Sequence, residues 1–365
     1  MQCSYIRDGL RVNHNGNMVP CCVFKGSSDF YVGQHTIEQY QSSSWLNDIE
    51  QTLEKDQWPD GCWACRASEE QKVISHRQAG TDGFTVELVI GNTCNSDCGM
   101  CGPGRSSKIA ARLRQHPLPD GLLDLTDDRY LTWDGGPDRY ELEELPEIVQ
   151  LLARANTVKL IGGEPLLIKE IWPVLDKLST TNPDVNLHFV TNASIYDASK
   201  FAILSKFKNL TTLLSTEGVG THYEWLRHGL SWDAFSKNAL LLDKISNQIG
   251  MNVTVGALNI TGVVDIAAWG YANRIHVSFS PIVDPKILAI QGVAADIVKS
   301  QIPQLLSLQP HNKKSEILLT MLRRNLQAVA ETCPSSNDPR LQSYVEYLNQ
   351  HRKGSLDPKT LVFVE

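Results

Sequence analysis

Six apolar, strand-like runs recur through the middle of the chain: Phe84–Gly91, Thr157–Ile161, Asn186–Thr191, Leu210–Ser215, Asn252–Leu258 and Ile275–Ile282. Between them apolar residues return at helical spacing, over Tyr140–Ala153, Ile171–Ser179, Ala198–Phe207, Trp232–Ile249 and Val264–Tyr271. Strand alternating with helix predicts an α/β unit with a parallel sheet and right-handed crossovers. Six units are too few for a closed eight-stranded barrel.

The flanks read differently. Two short alternating runs surround Asn15-Gly16, a strong hairpin signal. Helical patterns follow over Thr36–Lys55 and Glu69–Arg77. Beyond Pro285 the chain carries three more, Ile297–Leu308, Ser315–Ala330 and Leu341–Arg352. The expected organisation is a small module over 1–80, the α/β unit over 81–290 and a helical extension over 291–365. The polar stretch His116–Arg139 is long for a connection inside such a unit, a length that suits a lid or substrate loop.

Composition changes the picture at the cysteines. The 365 residues carry a net charge of −7 and no strongly basic stretch, so no large nucleic-acid surface is expected. No apolar signal region or membrane-length run stands out, and a cytoplasmic location is expected. Nine cysteines in a reducing compartment argue for metal or redox chemistry rather than disulfides, and eight of them fall within the first 101 residues.

Cys94, Cys98 and Cys101 stand at C-x3-C-x2-C spacing directly after the first strand-like run. Three such thiolates can hold three irons of a [4Fe–4S] cube and leave the fourth open, whereas structural zinc wants four protein ligands. Earlier, Cys3, one of Cys21 and Cys22, and the C-x2-C pair Cys62 and Cys65 supply four thiolates, enough for tetrahedral zinc or for a second cluster. The second strand-like run ends in Gly162-Gly163-Glu164-Pro165, whose glycines let backbone approach a ligand and whose Glu can accept from an ammonium. The third ends in Thr191-Asn192-Ala193, where Asn192 is either a ligand contact or a turn residue. The fourth ends in Ser215-Thr216-Glu217-Gly218, with Arg227 downstream as a natural partner for a carboxylate or else a surface arginine.

The cysteine spacing and the Gly-Gly-Glu-Pro turn resemble the radical SAM superfamily. Cys3, the hairpin and the later C-x2-C resemble the auxiliary-cluster modules of its SPASM and twitch members, placed here before the barrel rather than after it. The resemblance implies a partial (β/α)6 TIM-like barrel with a small N-terminal cysteine-rich module and a C-terminal helical extension. It implies that Cys94, Cys98 and Cys101 bind a [4Fe–4S] cluster whose open iron takes S-adenosylmethionine (SAM). By the same resemblance Gly162, Gly163, Glu164 and Pro165 contact the SAM amino group, Met100 borders its adenine, and Asn192 and Ser215 lie near it; Arg227 falls within reach of the same rim, where its guanidinium suits the SAM carboxylate. Cys3, Cys21, Cys62 and Cys65 would bind the auxiliary [4Fe–4S] cluster, Cys21 being favoured over Cys22 because its distance from Cys3 matches twitch modules. The implied activity is reductive cleavage of SAM and hydrogen abstraction from a small-molecule, nucleotide or peptide substrate, with a one-electron donor such as flavodoxin or ferredoxin as partner. The reading from another class is a non-catalytic iron–sulfur or zinc protein that senses or passes electrons, which would have no use for the Gly-Gly-Glu-Pro turn.

Overall fold

The structure, a computed structural model, describes residues 1–70, 75–125, 146–282 and 285–352. The candidate lid over His116–Arg139 and the start of the Tyr140–Ala153 pattern lie mostly outside the described residues.

The strands are β1 (Gly9–Val12), β2 (Met18–Val19), β3 (Thr85–Val89), β4 (Asp97–Cys98), β5 (Thr157–Ile161), β6 (Asn186–Thr191), β7 (Asn209–Ser215), β8 (Arg227–His228), β9 (Gln248–Val255) and β10 (His276–Pro281). Among the described residues, eight of them form one sheet in the order β10-β9-β7-β6-β5-β3-β1-β2, and β4 pairs with β8 apart from it. The run β3, β5, β6, β7, β9, β10 is parallel throughout. Each of the six predicted strands is therefore present. A parallel sheet wound steadily in one direction carries all its crossover helices on one face. This is the α/β partial barrel, with a helical C-terminal part.

The N-terminal hairpin joins the same sheet. β2 runs antiparallel to β1, and β1 runs parallel to β3 with Arg11 opposite Glu87. Its turn is closed by Asn13 N–H donating to the Asn17 carbonyl (2.9 Å), with Gly16 at φ +82°.

Alternation sorts the strand side chains. Val86, Leu88, Val158, Leu160, Leu187 and Phe189 are fully buried on one face, each contributing about 1.5–3 kcal/mol by removal from water. The other face carries the row Arg11, Glu87, Lys159, His188 and Thr211, paired strand to strand.

Three boundaries differ from the periodicity. The Thr36–Lys55 pattern is two helices, Ile37–Gln41 and Ser44–Glu54, because the Ser43 side chain accepts from Leu46 N–H and starts a new one. Likewise Ser75 caps a short helix His76–Ala79, separate from Trp63–Glu70. The Trp232–Ile249 pattern ends at Asp243, and β9 begins at Gln248, where Asn247 N–H donates to the Leu210 carbonyl (2.9 Å).

The helix Lys313–Ala330 packs on Ala295–Leu306 and on the edge strand β10. The helix Pro339–His351 returns to the loop after β3, where Tyr344 Oη donates to the Gly99 carbonyl (2.9 Å). Among the described residues no helix is long and apolar enough to cross a membrane.

Candidate functional site

The loop after β3 carries Cys94, Cys98 and Cys101, and local hydrogen bonds fold it on itself. Asn92 Nδ2 donates to the Pro103 carbonyl (3.2 Å), and Ser107 N–H to the Asn92 carbonyl (2.8 Å). Ser106 Oγ donates to the Ser96 carbonyl (2.6 Å) while capping the helix Ser107–Gln115. β4 is held by β8, which sets Cys98 opposite Arg227. Ser96 Oγ lies 3.0 Å from Cys98 Sγ.

Burial raises all three thiols. Burial pushes Cys101 up to about 12, with Cys98 and Cys94 adding to the rise. Burial and then Cys98 push Cys94 up to about 11. Burial also raises Cys98, which the Arg227 guanidinium partly offsets.

The turn after β5 grips this loop by its backbone. Gly163 N–H donates to the Gly91 carbonyl (2.8 Å) and Glu164 N–H to the Thr93 carbonyl (2.8 Å). A Cβ on Gly163 would lie 2.6 Å from the Thr93 carbonyl carbon, and one on Gly162, at φ +142°, would lie 2.7 Å from the Gly91 oxygen. Both glycines thus serve a close approach of backbone to backbone, where the sequence suggested backbone to ligand.

Glu164 is fully buried, and burial raises its pKa against the donors that favour its charge. Those donors are Leu166 N–H (3.0 Å), Thr191 Oγ1 (2.8 Å) and Asn192 N–H (2.7 Å). Its carboxylate therefore ties the ends of β5 and β6 together, and Pro165 opens a short turn of helix beside it. Asn192 Nδ2 donates to Asn95 Oδ1 (2.9 Å), and Asn95 Nδ2 to Ser194 Oγ (2.8 Å). The end of β6 is thus linked to the cysteine loop.

Ser215 ends β7 and is half-buried. Arg227 is buried and held by Glu217, with Nη2 donating to Oε1 (2.9 Å) and Nε 2.7 Å from Oε2. Burial opposes its charge, but Glu217 and Cys98 outweigh that and raise it. Met100 is half-buried against the core.

The second cysteine group lines one small cavity. Cys3, Cys21, Cys62 and Cys65 all face it, and Cys22 does not. Cys22 lies on the sheet side instead, its Sγ 3.5 Å from His76 Nε2. Burial raises Cys3, Cys21 and Cys62, with Cys65 adding to Cys3 and Cys62 and Cys22 to Cys21. Gly61 leaves room for the Phe24 ring, which a Cβ would meet at 2.7 Å or less. Among the described residues no three or more His, Cys, Asp or Glu side chains surround the position of a single metal ion.

Two features escaped the sequence reading. One is the polar strand row Arg11, Glu87, Lys159, His188, whose signal was a charge at alternate positions of otherwise apolar strands. The other is a clamp behind the cysteine loop. The Asp97 carboxylate accepts from Arg112 Nε (2.7 Å) and Nη2 (3.1 Å) and from Arg352 Nε (3.3 Å), and all three residues are buried. Nothing local in the sequence links positions 97 and 352.

Residues 88–265 match the family model described as the radical SAM superfamily. This segment is a radical SAM domain. It contains the three-cysteine loop, the Gly-Gly-Glu-Pro turn, Asn192, Ser215 and Arg227, while Cys3, Cys21, Cys62 and Cys65 precede it. No curated protein sequence matches the chain. Among solved structures, SuiB of Streptococcus suis is similar at 18% identity over 83% of this chain and 70% of that one, TM-score 0.37. Native anSMEcpe with bound AdoMet is similar at 16% identity over 61% and 59%, TM-score 0.39. TsrM of Kitasatospora setae, a radical S-adenosylmethionine methyltransferase with tryptophan and a SAM analogue bound, is similar at 11% over 54% and 36%, TM-score 0.38. The chain spans 43%, 51% and 58% of the first three structures it resembles. Likenesses this distant say nothing of substrate.

Proposed function

We propose that this chain is a radical SAM enzyme that abstracts hydrogen from a small-molecule, nucleotide or peptide substrate. Cys94, Cys98 and Cys101 would hold a [4Fe–4S] cluster with a position left open for SAM. Bound together, cluster and SAM supply one-electron cleavage of the S–C5′ bond and a 5′-deoxyadenosyl radical.

The observation that carries this reading is the three-thiol loop at the carboxyl end of β3, inside the matched segment. The donor set suits the group: three half-buried thiols in one loop, whose thiolates burial disfavours and bound iron cations would favour. The other residues position and protect. Gly162 and Gly163 bring the turn after β5 against the loop, and Pro165 stiffens it. Glu164 and Asn192 fix the rim through the Asn95 contact. Met100, Ser215 and Arg227 border the SAM seat, Arg227 keeping positive charge beside Cys98. An enclosed site excludes water from a reactive radical.

Cys3, Cys21, Cys62 and Cys65 would hold an auxiliary [4Fe–4S] cluster, whose chemistry would be electron transfer; the shared cavity supports the choice of Cys21 over Cys22. An external one-electron donor of the flavodoxin or ferredoxin type supplies the reducing electron. The test is anaerobic reconstitution with iron and sulfide, then dithionite and SAM. The expected result is 5′-deoxyadenosine at rates above those of the Cys94→Ala protein. Its absence from a fully loaded wild type would overturn the reading. A content of about eight irons per chain supports two cubes, and about four with one zinc supports a zinc knuckle.

A further inference from the structure

A cavity of about 450 Å³ opens between the N-terminal hairpin and the end of the cysteine loop, apart from the small cavity of the four N-terminal cysteines. That size is typical of small-molecule sites, roughly 300–1,000 Å³. Its polar lining includes Arg11, Asn13, His14, Lys25, Ser27 and Arg105, and no Asp or Glu lines it among the described residues. This in a chain of net charge −7 is a local reversal of sign.

The cations are not equivalent. Arg11 is buried and paired with Glu87, so its charge is answered within the sheet. Arg105 is exposed, and among the described residues its guanidinium has no hydrogen-bond partner. It follows Cys101 by four positions, and its charge reaches both Cys101 and Arg11. This cation, without a partner among the described residues, lines the cavity four positions after the last cysteine of the three-thiol loop. An open cavity lined by cations and amides with no acid holds a field that a guanidinium fork and nearby amides complete with an anion.

We infer that this cavity seats the substrate and that Arg105, one of the cations lining it, receives an anionic group of that substrate, a carboxylate or a phosphate. This rests on the enzyme reading above and narrows its substrate class to anions. A phosphate and a carboxylate each offer two oxygens to a guanidinium fork, and two probes separate them.

The test uses the reconstituted full chain and isothermal titration calorimetry with inorganic pyrophosphate and, separately, glutarate. The expected result is saturable binding of one probe, weakened tenfold or more in Arg105→Glu and at least threefold in Arg105→Gln. Lys208→Glu makes the same charge change at the opposite end of the strands, where Lys208 pairs with Asp184; it should bind like wild type. A preference for pyrophosphate assigns a phosphate substrate, and a preference for glutarate a carboxylate. No saturable binding, equal weakening by Lys208→Glu, or displacement of the probe by SAM overturns the inference. A wild type that binds the anion but forms no 5′-deoxyadenosine refutes the enzyme reading instead.

Discussion

Gly163→Ala puts one methyl group where the turn after β5 meets the cysteine loop. The new carbon would sit 2.6 Å from the Thr93 carbonyl carbon and 2.7 Å from that of Asn92. Carbons rest about 3.5 Å or more apart, so the two segments must part by about 1 Å. Both neighbours are backbone, so no side chain can swing aside. Overpacking of this kind costs about 1–3 kcal/mol. The move also stretches the bonds from Gly163 and Glu164 N–H to the Gly91 and Thr93 carbonyls, at about 1 kcal/mol each. A loss of about 3 kcal/mol is expected, a large share of a domain's roughly 5–15 kcal/mol. Urea unfolding of the apoprotein measures it. Gly121→Ala is the control, since nothing lies within 4 Å of its added carbon, and it should stay within about 0.5 kcal/mol of wild type. The displaced loop should also lose its cluster on reconstitution, taking iron from about eight to about four per chain. Wild-type stability and full iron in Gly163→Ala would refute the claim that these glycines exist for backbone contact.

Cys21→Ala should lower reconstituted iron by about four per chain while Cys22→Ala leaves it near eight, because Cys21 faces the cavity of Cys3, Cys62 and Cys65 and Cys22 does not. Arg352→Met should cost about 1.5–3 kcal/mol in chemical denaturation, since it strips charged donors from Asp97 and from the Trp225 carbonyl while Arg112 remains. Asp197 caps the helix Ala198–Leu204, and the Ser199 hydroxyl, then the Lys200 N–H, pull its carboxyl down to about 2. Its folded value lies below the unfolded one, so its contribution is present above about 3.8 and is lost as pH falls through about 2. Asp197→Ala should therefore cost about 1 kcal/mol at pH 7, and the gap to wild type should shrink in unfolding curves taken near pH 2.

The parallel strands were legible because strand-like runs and helical patterns alternate along the chain from Thr157 to Pro281, after the polar stretch His116–Arg139 that separates them from β3. β1 was legible as a hairpin arm but not as a seventh parallel strand. Four residues fix no partner, and only the match of Arg11 to Glu87 shows where it docks. The boundaries that slipped, at Ser43, Ser75 and Gln248, turn on single caps or on an Asn247 bond across to Leu210. Of the candidate site, spacing alone brought Cys94, Cys98 and Cys101 together, because one loop carries all three. The partners of Glu164 and Arg227 were hidden in the sequence. Thr191 and Asn192 stand on a different strand from Glu164, and Glu217 reaches Arg227 only because the helix Gly220–Leu226 folds between them. The Asp97–Arg352 clamp joins residues 255 positions apart, a separation that no local pattern encodes.

On the proposed function, one iron at the three-thiol loop would have no ligand from the protein and would bind SAM. Mössbauer spectroscopy of the chain reconstituted with ⁵⁷Fe, before and after SAM, tests this directly. One iron in four at the Cys94, Cys98, Cys101 cluster should change its isomer shift when SAM is added. A spectrum unmoved by SAM, with every iron in sulfur-only coordination, would contradict it.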